Sequence, residues 1–258
     1  MHNNQPIGLF DSGIGGTSIW RAIHALLPHE STIYLADSIH APYGEKSKEE
    51  ILALSKKNTE YLLERGCKLI VVACNTATTN AIKELRALYD VPFIGIEPAI
   101  KPAALSSKTQ TIGILATKGT LSSELFNKAV EVYKTTTIVE QIGHGLVELI
   151  EAGQLDSAEL QEKLKSYLDP MIAANIDYLV LGCSHYPYLI PALKKILPSY
   201  IQIIDSGEAV ARQTQAVLKE KVGLHDSSAS TQQFYTNTNP SVLSSLLGSN
   251  YPVNQLDF

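Results

Sequence analysis

Short, uninterrupted apolar runs alternate with longer amphipathic stretches through the first part of the chain. The apolar runs cover residues 6–12, 31–38, 68–75 and 91–98, and stretches with helical spacing of apolar positions cover 17–27, 48–65 and 76–89. The run LIVV inside 68–75 lacks polar alternation, which is typical of a parallel strand covered on both faces. Alternating strands and helices predict parallel sheets with helices on both sides.

The same pattern begins again in the second part. Strands are predicted at 110–117, 136–142, 177–185 and 200–207, and helices at 122–133, in much of 144–174 and at 191–197. LIVVACNTAT aligns with YLVLGCSHYP, and VPFIGIEP with YIQIIDSG, at an offset of 109 residues; PIGLFDSG aligns with TIGILATKG at 105. Buried strands resemble one another by composition alone, but cysteines at matching strand ends, Cys74 and Cys183, favour two pseudo-equivalent halves.

The C-terminal tail, residues 208–258, begins with a helix-like stretch, becomes polar and then offers one strand at 232–237. We expect this tail to pack back onto the first half. The predicted fold is therefore α/β, with two similar domains that are each a mostly parallel sheet flanked by helices. The first domain would comprise residues 1–97 and 208–258, and the second residues 98–207.

Composition narrows the class of protein. Of 258 residues, 45% are hydrophobic and 18% charged, which are globular proportions. The formal net charge of −5, with no basic cluster, argues against binding along a nucleic-acid backbone. No apolar run approaches the ~20 residues of a membrane span, and the N-terminus lacks a signal-peptide pattern. Three cysteines are too few for a disulfide framework, so we expect a soluble, cytoplasmic protein without nucleic-acid or membrane partners.

Polar residues repeatedly follow the predicted strands at one end. In an open parallel sheet, ligands bind beyond the carboxyl ends of the strands. The residues at those ends are Asp11, Ser12, Asp37, Ser38, Cys74, Asn75, Thr76, Thr117, Cys183, Ser184 and His185. Core packing explains the apolar strands but not this polar edge, so we expect a functional site there.

Cys74 and Cys183 are the candidates for chemistry, whereas Cys67 precedes a strand, where a buried thiol is a small apolar group. A zinc site would need about four ligands at close spacing, so no metal is expected. A redox disulfide stays open, although no CxxC motif supports it. The third option is acid–base chemistry, in which one thiolate removes a proton from carbon and the other thiol delivers one to the opposite face. Thiols suit this because their ordinary pKa is ~8.5.

Each thiol would need a neighbouring acid or base. Asp11 is the candidate partner of Cys74, although it could equally cap the helix that follows the glycine loop. His185 lies two residues beyond Cys183, and side chains so spaced in a strand point to the same side. The alternative for His185 is a satisfied strand-end histidine.

The neutral side chains suited to the carboxylates and amine of an amino acid are Ser12, Asn75, Thr76 and Ser184. The loop DSGIGG at 11–16 offers backbone amides to a carboxylate or phosphate, although it matches no nucleotide-binding motif. The turn PYG at 42–44 could be a lid over the site or a plain turn. Glu151, on a predicted helix, is expected to be a solvated acid, and the role of Asp37 is left open.

Four motifs stand in a fixed order: FDSGIGG at 10–16, PYG at 42–44, ACNTAT at 73–78 and GCSHYP at 182–187. Each motif is weak alone, but their combination and spacing resemble the cofactor-independent aspartate/glutamate racemase family, over about residues 6–220. The resemblance implies two α/β domains related by a pseudo-twofold axis, with the active site in the cleft between them. It implies no cofactor and no metal. A homodimer is expected.

The same resemblance implies that Cys183 acts on L-glutamate and Cys74 on D-glutamate, assisted by Asp11 and His185, and that D-glutamate is supplied for peptidoglycan. The substrate-binding residues that it implies are Asp11, Ser12, Tyr43, Gly44, Asn75, Thr76, Ser184 and His185. The family usually has Thr where this chain has Ser184, which keeps the hydroxyl and removes a methyl group.

Two alternatives to glutamate racemisation remain at the sequence level. A racemase for aspartate or another amino acid is one, but His185 after GCS favours glutamate, because aspartate-type relatives are expected to carry an acid there. A two-lobed ligand-binding protein is the other. Such a protein would need the binding residues but no paired thiols.

Overall fold

The computed structural model describes residues 3–226 and 229–258. Its strands are β1 (Ile7–Asp11), β2 (Thr32–Ala36), β3 (Leu69–Val72), β4 (Phe93–Gly95), β5 (Thr111–Ala116), β6 (Thr137–Ile142), β7 (Tyr178–Gly182), β8 (Gln202–Ile204), β9 (Gln232–Thr236) and β10 (Val253–Gln255). Its helices are α1 (Thr17–Leu26), α2 (Lys48–Glu64), α3 (Asn75–Leu88), α4 (Ile100–Ser106), α5 (Lys118–Leu121), α6 (Glu124–Glu131), α7 (Leu146–Glu151), α8 (Ala158–Ala173), α9 (Ile190–Ile196), α10 (Gly207–Val217) and α11 (Ser241–Leu247). Within the described residues, no helix has the length and apolar character needed to cross a membrane.

The strands form two sheets, and every pairing between the described strands is parallel. The first sheet has the order β10-β9-β2-β1-β3-β4, and the second has the order β6-β5-β7-β8. The order β2-β1-β3-β4 in the first sheet therefore recurs as β6-β5-β7-β8 in the second. This confirms the α/β class and supports the internal duplication. The exact domain boundaries stay a prediction.

Burial on both faces explains the apolar strands. Every residue of β1, β2 and β3 is buried, as expected for parallel strands between two helical layers. The tail packs onto the first sheet as predicted, because β9 pairs with β2 along five residues. Trp20 of α1 also packs edge-on against Phe234 of β9, with ring centroids 4.7 Å apart.

Several predicted elements have different limits. The predicted helix at 122–133 is the shorter α6, which begins after Ser123, whose side chain accepts a hydrogen bond from the Phe126 amide. The predicted strands at 68–75 and 177–185 end earlier, where the chain turns into the next helix. Four elements, α4, α5, α11 and β10, were not predicted, because they are too short for a clear apolar period.

A buried ion pair joins three distant segments at the amino end of β3. Lys68 Nζ lies 2.7 Å from Glu30 Oε2, and the two side chains are only 1% and 3% exposed. The same ammonium donates to the carbonyl oxygens of Asn3, at 2.6 Å, and Gly223, at 3.1 Å. The backbone amide of His225 donates to Glu30 Oε1. The pair thus fastens the N-terminal segment and the tail to the first sheet.

Replacing Lys68 with Ala should destabilise the fold strongly, because it leaves the Glu30 carboxylate buried without its charge partner. We expect a loss of ~3–5 kcal/mol in the free energy of unfolding, measured by urea titration. Lys48→Ala is the matched control: its pair with Glu84, at 3.0 Å, lies on the surface, and its loss should cost ~0–1 kcal/mol. Equal losses in the two variants would contradict this role.

Candidate functional site

Residues from both sheets meet in a small cavity at the carboxyl ends of the strands. Its free volume is only about 10 Å³, far below the ~300–1,000 Å³ of pockets for drug-sized ligands. The residues that line it are Ser12, Pro42, Tyr43, Gly44, Cys74, Asn75, Thr76, Thr117, Val147, Cys183, Ser184 and His185. The lining therefore includes the strand-end candidates except Asp11, Asp37 and Ser38. Asp11 contacts Ser184 of the lining from behind.

Cys74 stands at the junction of β3 and α3. It is the N-cap residue of α3, and its sulfur accepts a hydrogen bond from the Ala77 amide at 3.4 Å. Its thiol can donate to Ser12 Oγ at 3.7 Å. Burial raises the pKa of the Cys74 thiol far above its ordinary value, and the negative charge of Asp11 adds to this. The resting side chain is therefore a neutral thiol that can give up a proton only to a strong base.

Cys183 and His185 are close together, but not for the reason that the sequence suggested. The strand β7 ends at Gly182, so the alternation of side chains in a strand does not apply to them. The chain turns instead, and the amide of Tyr186 donates to the Cys183 carbonyl at 3.1 Å. This turn brings His185 Nδ1 to 3.9 Å from the Cys183 sulfur.

Glu151 orients His185, a role that the sequence analysis missed. Glu151 Oε1 lies 2.6 Å from His185 Nε2 and accepts a hydrogen bond from the Ile14 amide at 2.7 Å. Glu151 Oε2 accepts from Ser38 Oγ at 2.8 Å. The expectation of a solvated acid was wrong, since the side chain is only 16% exposed. On sequence alone, α7 gives no sign that Glu151 differs from the exposed Glu148.

The electrostatics of His185 follow from these contacts. Burial disfavours the charged ring, but hydrogen bonds with Cys183 and Glu151 and the negative charges of Asp11 and Glu151 outweigh it. The pKa of the imidazole is therefore raised well above its usual value. A protonated His185 would place a positive charge next to the Cys183 sulfur.

Asp11 orders the glycine loop and contacts the second half of the molecule. Its Oδ2 accepts from the amides of Gly16, at 2.8 Å, and Gly13, at 3.3 Å, and its Oδ1 accepts from Ser184 Oγ at 3.0 Å. Burial raises the pKa of this carboxyl, although His185 and the Gly16 amide oppose the shift. Gly16 is itself the N-cap residue of α1. Asp11 is therefore not the N-cap of this helix, and it instead orders the loop that precedes it.

The loop at 11–16 is not an open cradle for a ligand, because its amides already hold the protein's own carboxylates, Asp11 and Glu151. Glycines are required in this loop because side chains from other elements lie very close to its backbone. A Cβ on Gly13 would lie 1.9 Å from Glu151 Oε1, and one on Gly15 would lie 2.2 Å from His185 Nδ1. The loop thus admits both side chains to the edge of the cavity.

Tyr43 and Gly44 cover the cavity from the first half. The Tyr43 hydroxyl donates to Asp37, and Asn58 Nδ2 donates to that hydroxyl at 3.2 Å. Burial, together with the charge of Asp37, raises the pKa of Tyr43 well above its usual value, so the hydroxyl stays protonated. Asp37, fully buried behind the cavity, therefore holds the turn at 42–44, and a Cβ on Gly44 would lie 2.7 Å from Thr117 Cβ.

The remaining polar residues of the lining are Asn75, Thr76 and Thr117. Thr76 Oγ1 lies 2.8 Å from Thr117 Oγ1, so a hydroxyl pair joins the two halves. Asn75 Nδ2 donates to the Ile96 carbonyl, while Asn75 Oδ1 is buried with no hydrogen-bond partner among the described residues. Buried acceptors are rarely left unpaired, so this oxygen is available to a ligand's donor.

Cys67 lies in the core away from the cavity. It packs near Gly8 and Leu62 at the amino end of β3. Burial raises its pKa to about 12, which is consistent with an inert apolar role. In the part of the chain that the structure describes, no cluster of three or more His, Cys, Asp or Glu side chains could hold a metal ion.

Known proteins resemble this chain over most of its length. Residues 16–214 match the Asp/Glu/Hydantoin racemase family. A glutamate racemase of Stutzerimonas stutzeri is 46% identical over 94% of this chain and 92% of its own length. A crystal structure of a Bacillus anthracis glutamate racemase superimposes with a TM-score of 0.89 and 32% identity, covering 99% of this chain and 98% of the other.

A further crystal structure, of Escherichia coli glutamate racemase in complex with L-glutamate and an activator, superimposes with a TM-score of 0.86 and 33% identity over 98% of each chain. The family match covers more than half of the chain, and the relatives are matched over nearly their whole length. The chain belongs to the Asp/Glu/Hydantoin racemase family.

Proposed function

We propose that this protein is a glutamate racemase that interconverts L- and D-glutamate by transferring protons at Cα between two thiols. The observation that carries the proposal is that Cys74 and Cys183, which follow equivalent strands of the two sheets, line one small cavity. The glutamate racemases that it resembles over nearly its whole length support the substrate.

The proposed reaction from L-glutamate begins at Cys183. Its thiolate, stabilised by a protonated His185, takes the proton from Cα and becomes a thiol. The Cys74 thiol then gives its proton to the opposite face of the carbanion and becomes a thiolate. The reverse reaction exchanges the roles of the two sulfurs. One proton leaves carbon and one returns, so the transfer needs no oxidant or electron carrier.

The binding roles follow from the lining. Ser12 and Ser184 offer hydroxyls from the two halves, and the backbone at Tyr43 and Gly44 closes the cavity beside them. Asn75 Oδ1, the buried acceptor without a partner, suits the ammonium group of an amino acid. Asp11 contributes through its contact with Ser184.

The biological part of the proposal is that the enzyme supplies D-glutamate for peptidoglycan in the cytoplasm. Three unpaired thiols agree with a reducing compartment. A homodimer stays a prediction that multi-angle light scattering would test. The ligand-binding alternative has no observation in its favour, because it gives no role to two thiols in one cavity.

Purified protein should racemise both enantiomers of glutamate without added pyridoxal phosphate or metal. Circular dichroism would follow the loss of optical signal from L-glutamate and from D-glutamate, after dialysis against a chelator. L-Aspartate is the substrate control and should react much more slowly. Unchanged optical signals for both glutamate enantiomers would refute the proposal, and faster reaction of aspartate would favour the alternative enzyme.

Cys74→Ser and Cys183→Ser should each lower kcat for racemisation by at least ~10²–10⁴-fold, because each variant lacks one of the two acid–base groups. Cys67→Ser is the matched control and should keep nearly full activity, since this thiol does not line the cavity. Assays in both directions, with the thermal midpoint of each variant, would check this. Loss of activity in Cys67→Ser at unchanged stability would contradict the assignment.

Glu151→Gln should shift the alkaline limb of the kcat/KM profile to lower pH. The carboxylate helps to raise the pKa of His185, so the neutral amide lets the imidazolium lose its proton at a lower pH. Glu148→Gln, three residues earlier on α7 and exposed to solvent, is the control and should leave the limb in place. An unshifted limb in Glu151→Gln would show that His185 does not act as a cation.

A further inference from the structure

A short segment, Asp37–Ile39, connects the two sides of the site. At its start, the Asp37 carboxylate accepts a hydrogen bond from the hydroxyl of Tyr43, which covers the cavity. In its middle, Ser38 Oγ donates to Glu151 at 2.8 Å, and Glu151 in turn holds His185. The position of this 37–39 segment therefore affects both Tyr43, which covers the cavity, and His185, which lies beside Cys183.

Asn237, from the C-terminal tail, holds the 37–39 segment at both ends. Its Nδ2 donates to Asp37 Oδ1 at 2.6 Å, and its Oδ1 accepts from the Ile39 amide at 2.9 Å. A primary amide carries both a donor and an acceptor, so one side chain can make both contacts. Ser38 lies between the two points of attachment.

The sheet register brings Asn237 to this place. Strand β9 pairs with β2, and Thr236 lies opposite Ala36 at the end of the ladder. The next residues of the two strands, Asn237 and Asp37, are thus neighbours just beyond the carboxyl edge of the sheet. Asn237 lies outside the family match of residues 16–214 and does not line the cavity.

We propose that Asn237 is a positioning residue of the active site, which fixes the 37–39 segment so that Tyr43 and Glu151 keep their catalytic geometry. This inference rests on the proposed racemase function. The tail itself does not depend on the amide, because five residue pairs join β9 to β2 and Phe234 packs on Trp20. Asp37 also keeps its contact with His40 Nδ1, at 2.7 Å, when Asn237 is removed. Removing the amide should therefore loosen the segment without unfolding the sheet.

The first test is independent of catalysis. Hydrogen–deuterium exchange of the peptide that covers residues 37–45 should be roughly tenfold faster in Asn237→Ala, because the Ile39 amide loses its acceptor. Asn239→Ala is the matched control: its side chain caps the start of α11 by accepting from the Ser241 amide at 2.9 Å. It should leave the exchange of 37–45 unchanged. Unchanged exchange in Asn237→Ala would overturn the proposal.

The second test is kinetic. Asn237→Ala should lower kcat/KM for glutamate roughly tenfold, since small displacements of reacting groups cost rate, while its unfolding midpoint stays near that of Asn239→Ala. The double variant with Ser38→Ala should lose less than the sum of the two single losses, because both residues act through one segment. Additive losses, or a kcat/KM equal to that of Asn239→Ala, would overturn the inference. If wild-type protein racemises nothing, the proposed function fails, and the exchange result still decides whether Asn237 holds the segment.

Discussion

The site depends on the compensation of a buried carboxylate. Asp11 is fully buried, and an ionised group removed from water is tolerated only where the protein supplies hydrogen bonds or opposite charge. The amides of Gly13 and Gly16 supply two of these hydrogen bonds, and Ser184 supplies a third from the other half of the molecule. The two halves must therefore close on each other for Asp11 to be satisfied, and the same closure brings the two thiols to one cavity.

The two thiols occupy equivalent positions in the topology but different surroundings. Cys74 begins a helix and has a hydroxyl and an amide as partners. Cys183 lies in a turn beside His185, which Glu151 holds from the other side. Duplication of the strand order explains why both sulfurs reach the cavity. Differences in the connecting loops explain why His185 and Glu151 lie beside one sulfur, and a hydroxyl and an amide beside the other.

The strand edge was predictable from sequence, because parallel strands present their carboxyl ends at one side and polar residues follow each strand there. Cys74, Asn75 and Cys183 were found by this rule alone. Glu151 could not be found by this rule. Its partners are Ile14, 137 residues earlier, and His185, 34 residues later. These contacts exist only because α7 packs against the glycine loop. Asn237 was not predicted for the same reason, since the register of β9 on β2 is set by tertiary packing.

Thermodynamics limits the kinetic effect that the different surroundings of the two thiols can have. The two substrates are mirror images, so the equilibrium constant is unity in solution and the enzyme cannot change it. The ratio of kcat/KM in the two directions equals that constant, so the two values must agree however different the environments of Cys74 and Cys183 are. The asymmetry can appear only in kcat and KM separately, through the populations of the two protonation states of the resting enzyme. Burial raises the pKa of Cys74, so the resting form with a proton on Cys74 is favoured.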